Sequence, residues 1–347
     1  MKITSSEIAK IANVSRSTVS RVINNYPNVP EETRQKVLAV IEEYGYVPNA
    51  SARALAGKTN NIIALFIVDI NDENQEKKWR GVNSPYFLEL LSGTINESKK
   101  YGYMVLVYVI TNKQEYEQIE HIFMNRTIYG GIFVGFEYRD PALKKLINKN
   151  YNMVMIDEIS KEDYENNTSL KVVNTKNEEG GYRATKYLID KGHKYIAHIS
   201  GDNRLSSIER EIGYAKCMRD SNLEVKDGYI VNGDYKEEDA YLATIELLDN
   251  NKEITAIFIA NDIMAIGVIK AIKERGLSIP EDISIIGFDN CEFSKYTNIE
   301  LTTMEVEIKD ISESAVKLIL DFSEENFIEC ESRIIERESV KENNMCL

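Results

Sequence analysis

An α-helical head followed by two doubly wound α/β lobes is the fold class that this 347-residue sequence predicts, and three observations carry it. The first 45 residues hold three short helical patterns separated by brief turns. From Asn61 onward, β-rich apolar runs alternate with amphipathic helical stretches, the pattern of parallel βαβ units. The charge also changes sign along the chain. Residues 1–60 hold eight Lys/Arg and five Asp/Glu, a net of +3, while the whole chain carries −14, which leaves −17 for 61–347. The length suits two or three domains.

In the head, Thr4 with Glu7 three residues on makes a capping-box pattern, and Ile8, Ile11 and Ala12 give the first helix an apolar stripe. Asn13-Val14 supplies a turn, after which Ser15 is placed to cap a second helix running from Arg16 to Ile23. Val19, Val22 and Ile23 face inward on that helix, and Arg16, Ser17, Ser20 and Arg21 face out. Two helices joined by so short a turn form a helix-turn-helix, whose second helix enters the major groove of DNA by its N-terminal end. A third helix starts at Pro30-Glu31, where proline is tolerated in the first turn, and stops at Gly45. Arg16 and Arg21 can each donate two hydrogen bonds to guanine, and Ser17 can bond a base edge or a phosphate. Thr4, Ser15, Thr18 and Ser20 are candidates for phosphate contacts. The alternative is a solvated polar face on an unrelated three-helix bundle. The charge division favours DNA, held by the head and repelled by the body.

The next stretch, Tyr46-Val47-Pro48-Asn49-Ala50-Ser51-Ala52-Arg53-Ala54-Leu55-Ala56-Gly57, reads as a short Ala-rich helix capped by Asn49 and ended by Gly57. At about two turns such a helix is marginal alone and orders only against a partner. The runs NVSRSTVSRVIN and VPEETRQKVLAVIEEYGYVPNASARALA resemble the lactose-repressor (LacI/GalR) family of bacterial transcription regulators. The resemblance implies that hinge helices order on operator DNA, pair across a homodimer and wedge a leucine into the minor groove. Leu55 holds that position, with Asn49, Ala52 and Arg53 beside it in the hinge; an inserted apolar wedge kinks the duplex. The domain plan is then a head at 1–47, a hinge and linker at 48–60, and a body at 61–347. Within the body, an N-lobe spans about 61–158 and 292–322, and a C-lobe about 159–291 and 323–347.

Candidate strands in the body are 62–68, 103–109, 131–134, 153–156, 195–200, 229–231, 256–260 and 284–288, with helices between them at 114–124, 177–191, 206–221 and 262–274. Open α/β sheets bind ligands outside the carboxyl ends of their strands, so two facing lobes make a cleft. Polar residues stand at those ends: Asp69, Asp157, Asn261-Asp262 and Asp289-Asn290. The resemblance extends through Gly192-His193, Gly233-Asp234, 260–267, 279–290 and Leu301-Thr302-Thr303, and the body is similar to periplasmic sugar-binding proteins, which lack the head. It implies that Arg210, Asn261 and Asp289 hold ligand hydroxyls, with Tyr235 against the ligand face and Asp157 at the fourth strand end. Carboxylates and an arginine fork suit the hydroxyls of a mono- or disaccharide. Strand-end caps or interlobe ion pairs are the alternative roles, and a purine or nucleoside, or a phosphocarrier-protein partner, is the alternative effector. A two-fold dimer of such heads reads a pseudopalindromic operator.

Two departures from the family pattern stand out. Residues 71–82 intervene before Asn83-Ser84-Pro85-Tyr86-Phe87, whose aromatic pair is a candidate for the ligand site. This insertion holds the sequence's one tryptophan, Trp79, which either tips a flap that stacks on a sugar face or rides on a mobile loop. The acidic run Glu305-Val306-Glu307-Ile308 is expected to cross back between the lobes. Dinucleotide, P-loop and hydrolase-elbow motifs are missing, and His193 and His198 read as capping and core, which argues against an enzyme. The four cysteines show no metal or disulfide spacing, so no cofactor is expected. The absence of a signal peptide or membrane span points to the cytoplasm.

Overall fold

The computed structural model describes residues 3–23, 26–46, 60–70 and 84–343. The chain divides into two compact units, Met1–Asn60 and Asn61–Leu347. The hinge residues Asn49, Ala52, Arg53 and Leu55, and Trp79 of the insertion, lie outside the described residues.

The head consists of α1 (Ser5–Ile11), α2 (Arg16–Ile23) and α3 (Glu31–Glu43). The capping box at α1 forms as its spacing predicts: the Thr4 N–H donates to Glu7 Oε2 at 2.7 Å, and the Glu7 N–H donates to Thr4 Oγ1 at 3.3 Å. Ile8, Ala9, Ala12, Val19, Val22, Val29, Val37 and Val40 form its core. Ile11 departs from the expected stripe and is 44% exposed. Ala9 is buried in the head core instead.

The body has two six-stranded sheets. The first contains β1 (Ile62–Val68), β2 (Met104–Ile110), β3 (Gly130–Val134), β4 (Met153–Ile156), β5 (Lys171–Thr175) and β11 (Phe327–Cys330). Its order is β11-β5-β4-β3-β1-β2, all parallel. The second contains β6 (Ile196–Ser200), β7 (Ile230–Asn232), β8 (Ala256–Ile259), β9 (Ser284–Asp289), β10 (Thr303–Val306) and β12 (Ser332–Ile335). Its order is β12-β10-β9-β8-β6-β7, with β12 alone antiparallel to its neighbour. The helices are α4 (Pro85–Lys100), α5 (Tyr116–Met124), α6 (Pro141–Ile147), α7 (Lys161–Glu165), α8 (Asn177–Asp190), α9 (Leu205–Asp220), α10 (Glu237–Asn250), α11 (Asp262–Glu274) and α12 (Ile308–Ile319). No helix among the described residues is long and apolar enough to cross a membrane.

Sheet membership corrects the expected lobe boundaries. β5 joins the first sheet although residues from 159 were assigned to the C-lobe, and β11 joins it although residues from 323 were. β10 joins the second sheet although 292–322 were assigned to the N-lobe. The chain therefore passes between lobes three times, at 175–177, 306–308 and 330–332. The Glu305–Ile308 run lies at the second passage, as expected. The reason is pairing: β5 reads Lys-Val-Val-Asn-Thr and β10 Thr-Met-Glu-Val, too few apolar residues to announce a strand, and their place is set by neighbours far away in sequence.

α8 and α9 cross so closely that their glycines are obligatory. A Cβ on Gly213 would overlap the Glu178 carbonyl, and one on Gly181 would overlap the Arg210 carbonyl. This contact fixes the base of α9 against α8, the helix that leads out of the first passage. Helix propensity alone favours alanine over glycine by roughly 0.5–1 kcal/mol, but overpacking against backbone costs about 1–3 kcal/mol. Gly213→Ala is expected to lower the melting temperature of the body; a rise in a thermal scan would show that the crossing is looser than described.

Candidate functional site

The exposed face of α2 presents Arg16, Ser17, Ser20 and Arg21, while Val19 and Val22 are buried beneath it. At its N-terminus the Ser15 hydroxyl accepts the Thr18 N–H at 3.1 Å and lies 2.7 Å from the Ser17 hydroxyl and 2.8 Å from that of Thr18. Three predicted contact residues thus form one hydroxyl cluster at the helix end whose free N–H groups favour anions. Thr4 stands apart, because its hydroxyl is committed to Glu7 inside the capping box.

In the body, the carboxyl ends of the two sheets face a cleft of about 1130 Å³. Asp157, Arg210, Tyr235, Asn261, Asp289, Tyr86 and Phe87 all line it, so seven residues predicted from 200 positions of sequence converge on one space. Their hydrogen bonds form a chain across the lobes. Asp157, at the end of β4 with φ of 54°, accepts the Thr175 N–H at 2.6 Å and the Asn177 amide at 3.2 Å. Asn177, on the far side of the first passage, accepts from Arg210 Nε at 2.9 Å. Arg210 also donates to the Ala260 carbonyl at 2.5 Å, approaches Asp289 Oδ1 at 3.6 Å and lies 3.6 Å from the Phe288 ring centroid. Asn261 caps α11 by accepting the Met264 N–H at 3.0 Å, which leaves its amide nitrogen for other acceptors.

Burial governs the titration of the carboxyls. It pushes Asp289 up to about 7, against the pull of Arg210 and with further help from the Asp262 and Asp157 charges. Asp157 is raised for the same first reason, and its donors from Thr175 and the Arg210 charge restrain the rise. The Tyr86 hydroxyl is held well above its usual range by burial and by both carboxylates, so it keeps its proton as a donor. Phe87 differs in kind, since it is 6% exposed and belongs to the core, with Tyr86 edge-on at 5.4 Å. The Tyr235 ring rests on Gly201, carries the Arg204 guanidinium 4.6 Å from its centroid and reaches the Ser206 hydroxyl at 3.2 Å.

Two strand-end residues do not serve the cleft. Asp262 is fully buried and accepts from the Cys291 N–H and from the Ser294 and Thr303 hydroxyls, which organises the loop after β9. Asn290 turns to Arg337 and Glu305. Conversely, Glu158, Asp202, Arg204 and Ser206 line the cleft and were not anticipated. The end of β6 was the available signal for the last three. His193 bonds Thr255 and the Lys341 carbonyl, and His198 is a core residue between Tyr214 and Phe258 whose burial lowers it to about 3.

Residues 4–49 match the model of the bacterial regulatory proteins of the lacI family, and residues 185–340 match a periplasmic binding protein-like domain. Catabolite control protein A of Priestia megaterium is 32% identical over 349 residues, covering 98% of this chain and 100% of that one. The chain belongs to the LacI family of bacterial transcription regulators. Two other relatives of this family are each 32% identical: the regulator MalR of Clostridium butyricum and the repressor PurR of Histophilus somni. Each match covers 96% of this chain and 98% of the relative. The fold agrees with a lac repressor dimer bound to operator and an anti-inducer (TM-score 0.80, 22% identity, 98% and 100% coverage). It agrees also with a complex of the regulator CelR with cellobiose (TM-score 0.72, 24% identity, 97% and 99% coverage). The head-plus-two-lobe expectation and the family resemblance are borne out.

Because Asp289 in the folded chain titrates near 7 and an ordinary aspartate near 4, its contribution to stability is fully present below about pH 4 and is lost as pH rises through about 7. Asp289→Asn removes that loss. The melting temperature of the variant relative to wild type is expected to climb between pH 4 and pH 8; a flat difference would contradict a buried, proton-holding Asp289.

Proposed function

We propose that this LacI-family regulator is a repressor of carbohydrate-utilisation genes, binding a pseudopalindromic operator as a homodimer under the control of a mono- or disaccharide in the interlobe cleft. The observation that carries the effector class is the Arg210–Asp289 pair, buried in a cleft wall with Asn261 beside it. A guanidinium fork and a carboxylate side by side offer a donor and an acceptor to neighbouring hydroxyls, the arrangement that vicinal diols require. Tyr86 supplies a further donor and an aromatic edge.

On the DNA side, Arg16, Ser17 and Arg21 read base edges, Ser15, Thr18 and Ser20 hold phosphates, and Leu55 is the minor-groove wedge. Coupling follows from linkage: a ligand that binds two lobe arrangements unequally by roughly 1–3 kcal/mol changes operator affinity by about 5- to 150-fold. The cleft is read as a binding site without catalysis, since Asp157 and Asp289 are engaged by backbone, asparagine and arginine. The chain acts where the chromosome lies, in the cytoplasm.

Two measurements test this reading. Arg16→Ala is expected to weaken specific operator binding by about 1–3 kcal/mol while leaving non-specific binding in place; equal losses on all DNA would contradict base readout. In thermal scans of the full chain, a sugar is expected to raise the melting temperature and to lose that effect in Asp289→Ala. Shifts with purine bases or nucleosides alone would reassign the effector class.

A further inference from the structure

Glu158 is a second acidic residue at the end of β4, and the family resemblance attaches no role to it. It lines the cleft while being 3% exposed. Its Oε1 accepts the Phe136 N–H at 2.8 Å, the Gly135 N–H acts on the same carboxyl from the preceding residue, and its Oε2 is buried with no hydrogen-bond partner. A polar atom left so in a native protein needs an explanation, because burial removes its water and supplies nothing in exchange. The surroundings sharpen the question. Tyr116 stacks on Phe136 at 5.5 Å and turns its hydroxyl to Asp140 at 3.3 Å, so it does not serve Glu158. Arg204, the cation that acts on Glu158 from the opposite lobe, is held by both oxygens of Asp202, each 2.9 Å from its Nε. Asp157, one residue away, already accepts from Thr175 and Asn177. The protein thus satisfies the neighbouring acids and leaves one edge of Glu158 for something else.

The size of the cleft says how far a ligand reaches. At about 1130 Å³ it lies just above the roughly 300–1,000 Å³ range of small-molecule sites. Arg210 and Asp289 on the second lobe can hold one sugar ring; the cleft continues to Glu158 and Tyr116 on the first lobe and to Lys236 and Tyr241 on the second. Burial and the Asp157 charge raise the Glu158 carboxyl well above its ordinary range, against the Phe136 and Gly135 N–H groups and the Arg204 charge; a carboxyl that holds a proton offers both a donor and an acceptor, as a hydroxyl group requires. An anionic group in the same place would face Asp157, Asp140 and Glu137, with Arg204 already paired to Asp202; acids outnumber cations such as Lys113 along the cleft wall, which disfavours sugar phosphates.

We propose that Glu158 is a specificity-determining residue of the cleft, its buried Oε2 edge meeting a hydroxyl on the second unit of an uncharged disaccharide. This rests on the sugar reading of the cleft and goes beyond it by fixing the ligand's length, charge and second anchor.

The test is calorimetric titration of the full chain with glucose, glucose 6-phosphate, cellobiose, maltose, lactose, sucrose and trehalose, in wild type, Glu158→Leu and Glu158→Gln, with Asp289→Ala as control. A disaccharide is expected to bind wild type at least tenfold more tightly than glucose. Glu158→Leu is expected to lose at least tenfold in disaccharide affinity and under threefold for glucose. Glu158→Gln keeps the acceptor for the Phe136 N–H. It is expected to move the disaccharide-to-glucose ratio by at least threefold and, without ligand, to melt at or above wild type. A ratio unchanged in both variants while Asp289→Ala abolishes binding would overturn the assignment and leave the sugar cleft standing. So would preference for glucose 6-phosphate, or a ligand-free Glu158→Gln that melts clearly below wild type. Binding of none of these sugars would remove the sugar reading itself, and this assignment with it.

Discussion

The Arg210 guanidinium is the constraint around which the body is arranged. A cation this deeply buried must be met by acceptors or it destabilises the fold. Here the acceptors come from three places: the Asn177 amide oxygen at the first passage between lobes, the Ala260 carbonyl at the end of β8, and the Asp289 carboxylate at the end of β9, with the Phe288 ring against its face. Asn177 in turn donates to Asp157 of the other lobe. One side chain therefore ties the ends of four strands, β4, β5, β8 and β9, to a common point. Because α9 carries Arg210, the glycine-mediated crossing of α8 and α9 sets where that point lies.

This arrangement explains how a binding site and a moving joint can be the same object. The residues that would meet a ligand are bonded to the residues at which the chain passes between lobes. On the proposed function, a ligand that competes for Arg210 or Asp289 would alter the bonds that hold Asn177, and so act directly on the joint. A second tie between the lobes, from the Tyr138 N–H to the Asn203 carbonyl at 2.9 Å, lies at the cleft's rim and involves backbone alone. It adjoins Arg204, so the loop after β6 both lines the cleft and carries the tie.

Much of this was legible in the sequence because the relevant signals are local. The capping box at Thr4, the Ser15 cap, and apolar runs such as Ile62–Val68 and Ser284–Phe288 need only neighbours within a few residues to be read. The strand-end rule then located Asp157, Asn261 and Asp289 without knowledge of the lobes' contacts. What escaped depends on distant partners. β5 and β10 are strands because β4 and β9 pair with them, and their own residues barely say so. Asp262 looked like a ligand group until Thr303 and Ser294 were seen to claim it. Glu158 and Arg204 carry no mark of burial in their spacing, since a charged residue beside a strand end reads as solvated by default.

The threefold passage of the chain between lobes also governs how the protein is made. The first sheet is incomplete until β11 (Phe327–Cys330) is available, and the second until β12 (Ser332–Ile335) follows. The head, by contrast, holds all of its core by Val40. With ribosomes adding about 5–20 residues per second, the head is ready roughly 15–60 seconds before either lobe can close. During that interval β5 and β10 expose unpaired edges at the growing ends of their sheets, the condition that invites wrong pairing. The same interleaving that joins both lobes at the cleft therefore makes the nascent body depend on the ribosome finishing its work, or on a chaperone that covers the edges meanwhile.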